Sequence, residues 1–331
     1  MKGNTMNKKL ILTTALASML AASAHAQVTI KGHIETTFGD KETPSTTTKA
    51  YTGAALGHET MVEFNHTKDL VGGWKSSIDL EMMEVANSVA DTEIKISNGA
   101  TSFFISKDGG SIMDVNAAPG AYNARPTDNI EIGTARDTSN GTIHGVQNFG
   151  FAQDIAGFGK VELRYAPDVT TANAAGDKNT GAGGGSGMEY GFIGNMGVDG
   201  LTVHLAQAVT KNAVDTTTSD VKNIHYGIGY NFGQFAAGFS RNDEDGATAS
   251  TDMTTTLYGV TFSPNKSTTL GVNLQKHESD AGTADEEILQ FEAAYNLGGA
   301  TVAIAYQQAE NVDNAVGADA DGFMLTYKQS F

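Results

Sequence analysis

The chain of 331 residues has no cysteine, which excludes a disulfide framework, a thiolate metal site and a cysteine nucleophile. Proline is scarce, at five residues, and basic residues are few: 21 lysines and arginines stand against 38 aspartates and glutamates. Nucleic-acid binding needs a basic face that neutralises phosphates, so the composition argues against that class. Glycine, by contrast, is abundant at 39 residues, and Thr, Tyr, Phe and Val are frequent, which favours strands over helices.

The N-terminus has the pattern of a secretory signal peptide. Lys8 and Lys9 precede an apolar run over residues 10–22, and Ala24-His25-Ala26 places small residues at a signal-peptidase site. The run is shorter than the roughly 20 residues of a membrane-spanning helix. We therefore predict a signal peptide over residues 1–26 and one mature domain over residues 27–331. A retained anchor is the alternative.

The mature chain lacks long apolar runs, since no stretch reaches the roughly 18 consecutive residues that a transmembrane helix requires. Instead, apolar and polar residues alternate in segment after segment. Residues 160–165, for example, read Lys-Val-Glu-Leu-Arg-Tyr, and residues 301–306 read Thr-Val-Ala-Ile-Ala-Tyr. Because successive side chains of a strand point to opposite faces, each segment has one apolar and one polar side.

Two features of this alternation favour a membrane barrel over a soluble β-protein, which is the alternative. The polar side carries charges and glycines in many segments, as a water-filled lumen requires, and aromatic residues cluster near segment ends, as interfacial girdles do. About sixteen segments can be counted. The prediction is an all-β fold: a transmembrane antiparallel β-barrel of about 16 strands.

The connections support an outer-membrane barrel, because short turns alternate with long polar loops. The third long loop is about twice the average length, and long loops in compact proteins tend to be functional. The predicted turns are residues 69–73, 107–110, 197–200, 233, 264–266 and 297–299. The predicted long loops include residues 40–56, 115–142, 167–187, 211–221, 242–253 and 310–320.

Four stretches of the mature chain carry a family resemblance. They are residues 27–35 after the signal peptide, residues 63–75 with their Asp-Leu-Val-Gly-Gly-Trp turn, residues 148–165, and the alternating residues 323–331 that end in Phe331. In this order and spacing they resemble the general bacterial porins, the trimeric sixteen-stranded diffusion channels of the Gram-negative outer membrane. The resemblance implies a homotrimer, and it implies that the barrel-assembly machinery recognises Phe331.

The resemblance also implies a pore constriction, in which the third long loop (residues 115–142) folds into the barrel. In the family, acids on this loop face a basic cluster on the barrel wall. The acids that fit are Asp128, Glu131 and Asp137. The wall residues that fit by their parity are Lys31, Lys75 and Arg164. The loop departs from the family pattern by also carrying Arg125 and Arg136.

Two short acidic motifs are the only metal candidates. Asp243-Glu-Asp245-Gly and Asp319-Ala-Asp321-Gly resemble fragments of calcium loops, but both lack the remaining spaced ligands. They are interpreted as plain turns or as weak Ca²⁺ sites that bridge lipopolysaccharide phosphates. The glycine-rich run over residues 181–187 lacks the Gly-Lys-Ser/Thr ending of a phosphate-binding loop, and the histidines form no catalytic pattern. We expect no enzyme activity and no cofactor.

The predicted function is passive diffusion of small hydrophilic solutes and ions through a water-filled pore whose loop sets the size limit and charge preference. Without the leader's three lysines the chain has 18 basic and 38 acidic residues, a net charge of −20, which favours cations. Outer-membrane lipid and lipopolysaccharide are the expected surroundings. Two alternatives stay open: a substrate-selective channel, and a non-conducting adhesive or structural barrel.

Overall fold

The computed structural model describes residues 26–43, 50–51, 53–83, 88–107, 112–126, 130, 132, 143, 146–167, 169, 185–211, 220–246 and 252–331. Within these residues sixteen long strands form one antiparallel sheet, and the sheet closes because the first strand pairs with both the second and the last. Closure leaves no strand edge unpaired, which a barrel in lipid requires. The predicted fold class is confirmed.

The sixteen strands follow one another around the barrel in chain order. A two-residue strand, Ala50–Tyr51, pairs with the end of the first. The long strands are β1 (Ala26–Thr43), β2 (Ala55–Asp69), β3 (Lys75–Met83), β4 (Ser88–Ser97), β5 (Thr101–Lys107), β6 (Asn148–Ile155), β7 (Gly159–Ala166), β8 (Ser186–Gly194), β9 (Leu201–Lys211), β10 (Val221–Asn231), β11 (Phe235–Asp245), β12 (Met253–Phe262), β13 (Thr268–Ser279), β14 (Glu286–Asn296), β15 (Ala300–Glu310) and β16 (Ala320–Ser330).

The two-residue alternation predicted from the sequence sets the two faces of the wall. Apolar side chains are exposed on the outside, including Ile30 and Ile34 of β1 and Leu205 of β9. The residues between them, such as His33 and His204, point inward and are buried. An outer band of this kind is solvated by hydrocarbon, whereas in water it would form a large exposed apolar surface. No helix among the described residues is long and apolar enough to cross a membrane.

The connections divide between the two ends of the barrel. Seven short connections form what we call the turn end: residues 70–74, 98–100, 156–158, 195–200, 232–234, 263–267 and 297–299. The other eight form the loop end: residues 44–54, 84–87, 108–147, 167–185, 212–220, 246–252, 280–285 and 311–319. Gly72 and Gly73 of the first turn both have positive φ, 73° and 79°, which a residue with a side chain rarely adopts.

One predicted turn is wrong. Residues 107–110 read Lys-Asp-Gly-Gly, which has turn chemistry, but Lys107 ends β5 at the loop end and the chain there enters its longest connection. The true turn before β5 is residues 98–100, where the Asn98 side-chain oxygen accepts hydrogen bonds from the backbone N–H groups of Ala100 and Thr101. This Asx-type turn has a single glycine and was missed. The predicted signal peptide covers residues 1–26. Residues 1–25 lie outside the described part of the chain, and Ala26 is the first residue of β1.

Candidate pore constriction

We call the third loop-end connection, residues 108–147, the pore loop; its described residues, 112–126, 130, 132, 143 and 146–147, lie inside the barrel. Its described residues contact inward-facing side chains of several strands. The Ala117 N–H donates to the Ser240 hydroxyl of β11 at 2.7 Å, and the Asn273 amide of β13 donates to the Pro119 carbonyl oxygen at 2.8 Å. Loop polar groups inside a barrel need such partners because water has limited access there. The predicted inward fold of this loop is confirmed.

A row of glycines gives the pore loop room against the wall. Gly229 of β10, Gly238 of β11 and Gly259 of β12 are register partners and so lie side by side across the sheet. A Cβ atom added to either of the first two would collide with the Ala117 carbonyl oxygen, and one added to Gly259 would collide with the Pro119 carbonyl oxygen. The loop backbone therefore rests directly on the sheet, which only glycine permits.

Glu292 of β14 holds the next part of the loop. Its carboxylate accepts hydrogen bonds from three successive backbone N–H groups, those of Ala121 at 2.7 Å, Tyr122 at 3.1 Å and Asn123 at 3.1 Å. The Gln290 amide donates to the same carboxylate at 2.7 Å. Hydrogen bonds to a charged acceptor are shorter and stronger than neutral ones, so this buried carboxylate is the principal polar anchor of the loop.

Apolar contacts fix the loop on either side of this anchor. Near its start, the loop packs against alanines of β9, and farther along it packs against β14 and β15. The first cluster contains Ile112, Met113, Ala206 and Ala208. The second contains Ile130, Ile132, Ile288, Ala305 and Ala309. The returning part of the loop buries Ile143 and Val146 beside Ala166 of β7. The described parts of the loop thus contact the inner wall from the loop end of β7 around to the loop end of β16.

Two buried histidines lie beneath the first turn of the loop. One ring nitrogen of His225 in β10, Nδ1, is 2.6 Å from the Met113 carbonyl oxygen, so this nitrogen carries a hydrogen and donates it. The ring of His204 in β9 meets the His225 ring edge to face, with centroids 4.4 Å apart. Both side chains are almost fully buried, so they serve as packing and anchoring groups of the covered wall.

The opposite wall, from β1 to β7, faces the open lumen and is charged. Its first part is acidic. The register pairs Glu35 of β1 with Glu59 of β2, and Glu63 of β2 with Glu81 of β3. We call these four residues and Asp79 the acidic wall. Burial beside Glu35 raises the pKa of the Tyr122 phenol of the pore loop, which stays protonated and donates to the Glu35 carboxylate. The acidic wall therefore borders the constriction.

The second part of the open wall carries basic groups. Arg164 of β7 is buried, its Nε lies 2.6 Å from a Glu162 oxygen, and its guanidinium carbon is 4.5 Å from the centroid of the Phe104 ring. Lys160 lies 2.8 Å from the other Glu162 oxygen. These side chains line a cavity of about 370 Å³ in the lumen wall that also contains Glu93. Going around the barrel, the acidic wall on β1 to β3 is thus succeeded by a region on β7 in which Lys160 and Arg164 pair with Glu162.

The three predicted basic wall residues do not form one cluster. Lys31 lies in β1, with its Nζ 3.5 Å from Glu63 of the acidic wall. Lys75 lies at the turn end of β3, with its Nζ 3.7 Å from Asp69. Arg164 is on β7, four strands farther around the barrel. Each of these charges is offset by an adjacent carboxylate.

Of the predicted loop residues, Arg125 is in the described part of the pore loop, where its backbone N–H donates to the Asn123 side chain at 3.1 Å. Asp128, Glu131, Arg136 and Asp137 lie outside the described residues. Their place in the constriction therefore stays a prediction.

The four calcium candidates lie at the loop end in two separate places. Asp243 and Asp245 are on the outward side of β11, whereas Asp319 and Asp321 flank the start of β16. Three of them accept hydrogen bonds from the protein itself: Asp243 from Arg241 and Thr254, Asp319 from the Asn311 N–H, and Asp321 from the Tyr306 hydroxyl. A calcium ion would compete with these donors, and calcium binding stays a prediction.

The residues that seat the loop were not identified from the sequence. They are the glycine row and Ser240, Asn273, Gln290, Glu292 and Gln307. A signal was present, since the inward positions of β10 to β15 carry mostly glycine, alanine and amide side chains, while charged side chains are much more frequent at those of β1 to β7. Uncharged inward positions mark the wall that a loop covers.

Comparisons with known proteins agree with this architecture. A family model described as Gram-negative porin matches residues 13–314. A search of curated proteins gives no match. Among solved structures, an anion-selective porin from Comamonas acidovorans has a TM-score of 0.67 at 14% identity, covering 92% of this chain and 100% of that one. In-vitro folded OmpT, an outer membrane protein of Vibrio cholerae, has a TM-score of 0.66 at 15% identity, with 94% and 99% covered. At these identities the likeness shows the shared fold.

Proposed function

The chain belongs to the Gram-negative porin family, and from this premise we propose that it conducts small hydrophilic solutes and ions passively and prefers cations. The family places the barrel in the bacterial outer membrane. The proposal needs no reaction and no cofactor, since a solute crosses by exchanging water for the polar groups of the lumen, and the constriction sets an upper size. Entry into the membrane follows signal-peptide cleavage and assembly through Phe331.

The acidic wall is the observation that supports cation preference. Four glutamates and Asp79 face the open lumen opposite the pore loop, and two lysines pair with them: the Lys31 Nζ is 3.5 Å from Glu63, and the Lys328 Nζ is 3.1 Å from Glu35. Carboxylates at a narrow, low-dielectric passage raise the local concentration of cations. The Comamonas acidovorans porin is described as anion-selective, so the sign of the preference depends on this chain's own wall residues.

Planar-bilayer recording of the purified barrel tests the proposal. We expect stepwise, ohmic conductance, and under a KCl gradient a reversal potential of the sign that cation preference produces. A reversal potential of the opposite sign would still support a channel but would contradict the cation preference. Steps that one solute blocks at saturation would favour a substrate-selective channel, and the absence of steps would favour an adhesive or structural barrel. Steps closing in three equal levels would support the homotrimer.

A further inference from the structure

A cluster of three potential metal ligands lies in the lumen at the acidic wall. His33 and Glu35 are inward neighbours on β1, and Glu59 is the register partner of Glu35 on β2. One ligand atom from each residue can be chosen so that all three lie within 4.8 Å of one another. The His33 Nε2 is 3.1 Å from a Glu59 oxygen, and the histidine is nine-tenths buried.

This spacing is close to that of a coordination shell. Nitrogen and oxygen ligands lie about 2.0–2.2 Å from a bound zinc ion, so neighbouring ligand atoms of a tetrahedral site are about 3.3 Å apart. The His33–Glu59 pair is already at that separation. Glu35 needs to approach by no more than about 1.5 Å, which a change of glutamate rotamer supplies.

The chemistry of the three groups favours a divalent transition ion over calcium. One imidazole nitrogen with two carboxylates and an open position for water is a donor set that suits Zn²⁺, whereas Ca²⁺ takes six to eight oxygens. One hydrogen atom lies between the His33 Nε2 and the Glu59 oxygen. A metal ion bound by both atoms would take the place of this hydrogen, which would be released as a proton.

The surroundings supply charge and leave coordination positions available. Glu63 and Glu81 add negative potential from the same wall. Two groups already contact the Glu35 carboxylate: the Lys328 Nζ lies 3.1 Å from Oε2, and the Tyr122 hydroxyl donates a hydrogen bond. A carboxylate has about four lone-pair positions on its two oxygens, so Glu35 retains capacity for an ion beside these two donors.

We propose that His33, Glu35 and Glu59 form a binding site for a divalent transition-metal ion in the lumen, at the border of the constriction. Binding places two positive charges at the acidic wall and offsets the two carboxylates that hold the ion. The site is therefore a point at which a divalent transition metal lowers the cation preference of the channel. This effect on selectivity rests on the proposed function, whereas binding itself does not.

Calorimetric titration of the purified, chelator-treated full-length barrel in detergent with ZnCl₂ tests the site without requiring conduction. We expect one Zn²⁺ per chain. His33→Gln and Glu59→Gln each weaken binding at least tenfold, since even the loss of an outer-shell partner costs about 10–100-fold in metal affinity. Co²⁺ in place of Zn²⁺ should give visible absorption bands in the unaltered barrel that both variants lose.

Two control variants separate coordination from general attraction. Glu63→Gln removes the same charge from the same wall, but Glu63 pairs with Lys31 and is not one of the three clustered ligands, and His66→Gln removes an outward-facing histidine of β2. Both should lose much less Zn²⁺ affinity than Glu59→Gln does, because Glu63 contributes only general negative potential and His66 faces away from the lumen. Absence of stoichiometric binding, or an equal loss in Glu63→Gln and Glu59→Gln, would overturn the proposal. Should His33→Gln not fold, as judged by far-ultraviolet circular dichroism, the two glutamate variants still decide the outcome.

Discussion

The two halves of the inner wall differ in what they offer the pore. From β8 to β15 the inward positions are mostly glycine, alanine, hydroxyl and amide residues, with some buried histidines, apolar residues and acids, and the pore loop rests on them. From β1 to β7 charged groups are much more frequent at these positions, and those of the acidic wall face open lumen. Removing a charge from water costs free energy unless it is paired, whereas a small or amide residue can be covered at little cost. The wall chemistry thus determines on which side the loop lies and on which side water remains.

The largest effect is expected at Glu292, because it anchors the covered side. Glu292→Ala leaves the N–H groups of Ala121, Tyr122 and Asn123 without their acceptor. Each hydrogen bond to a charged group contributes about 1.5–3 kcal/mol, so the loop should detach from the wall. Single-channel recording should show larger and noisier conductance. Glu292→Gln, which retains one acceptor oxygen, should lie between this variant and the unaltered barrel. Unchanged traces in Glu292→Ala would contradict the anchoring role.

A smaller effect is expected in the glycine row. The Cβ atom of Gly259→Ala would collide with the Pro119 carbonyl oxygen, so the loop must move toward the lumen. Overpacking of this kind costs about 1–3 kcal/mol, and conductance should fall. Val260→Ile adds similar bulk to the outward side of the same strand and serves as the control. Equal conductance in the two variants would show that the loop does not rest on this row.

On the open side, Glu81→Gln should weaken cation preference without moving the loop. The reversal potential in a KCl gradient should shift toward zero, and more so at low salt, because the screening length falls from about 10 Å at 0.1 M to about 3 Å at 1 M. Glu310→Gln, at the exposed loop end of β15, makes the same charge change outside the lumen. A matching shift from both variants would indicate that total charge, rather than the acidic wall, sets selectivity.

The smallest effect is expected at the rim. Asp243→Asn breaks the ion pair with Arg241. The side chains of these two residues are 37–39% exposed. Exposed pairs contribute about 1 kcal/mol or less, so the thermal midpoint should change little. Added Ca²⁺ should raise the midpoint of the unaltered barrel only if the rim aspartates bind it. A large calcium-dependent stabilisation that Asp243→Asn abolishes would establish a calcium site there.

The sequence predicts the barrel well because strand alternation is a local property. Segments such as residues 160–165 show their two faces within six residues, and the observed strands follow that parity. The pore loop is different, since its seat depends on contacts more than 100 residues apart, such as Ala117 with Ser240. The turn at residues 98–100 was missed for another reason: its Asn98-Gly99 pair is a strong hairpin signal, but the nearby Asp-Gly-Gly of residues 108–110 was interpreted as the turn instead.

The most direct test of the two-wall account uses the absence of native cysteine. Glu59→Cys places a thiol on the open wall, and Ser240→Cys places one beneath the pore loop. A small hydrophilic thiol reagent added during bilayer recording should change the current through Glu59→Cys rapidly and leave Ser240→Cys unaffected. Rapid modification of Ser240→Cys, or an inert Glu59→Cys, would contradict the account.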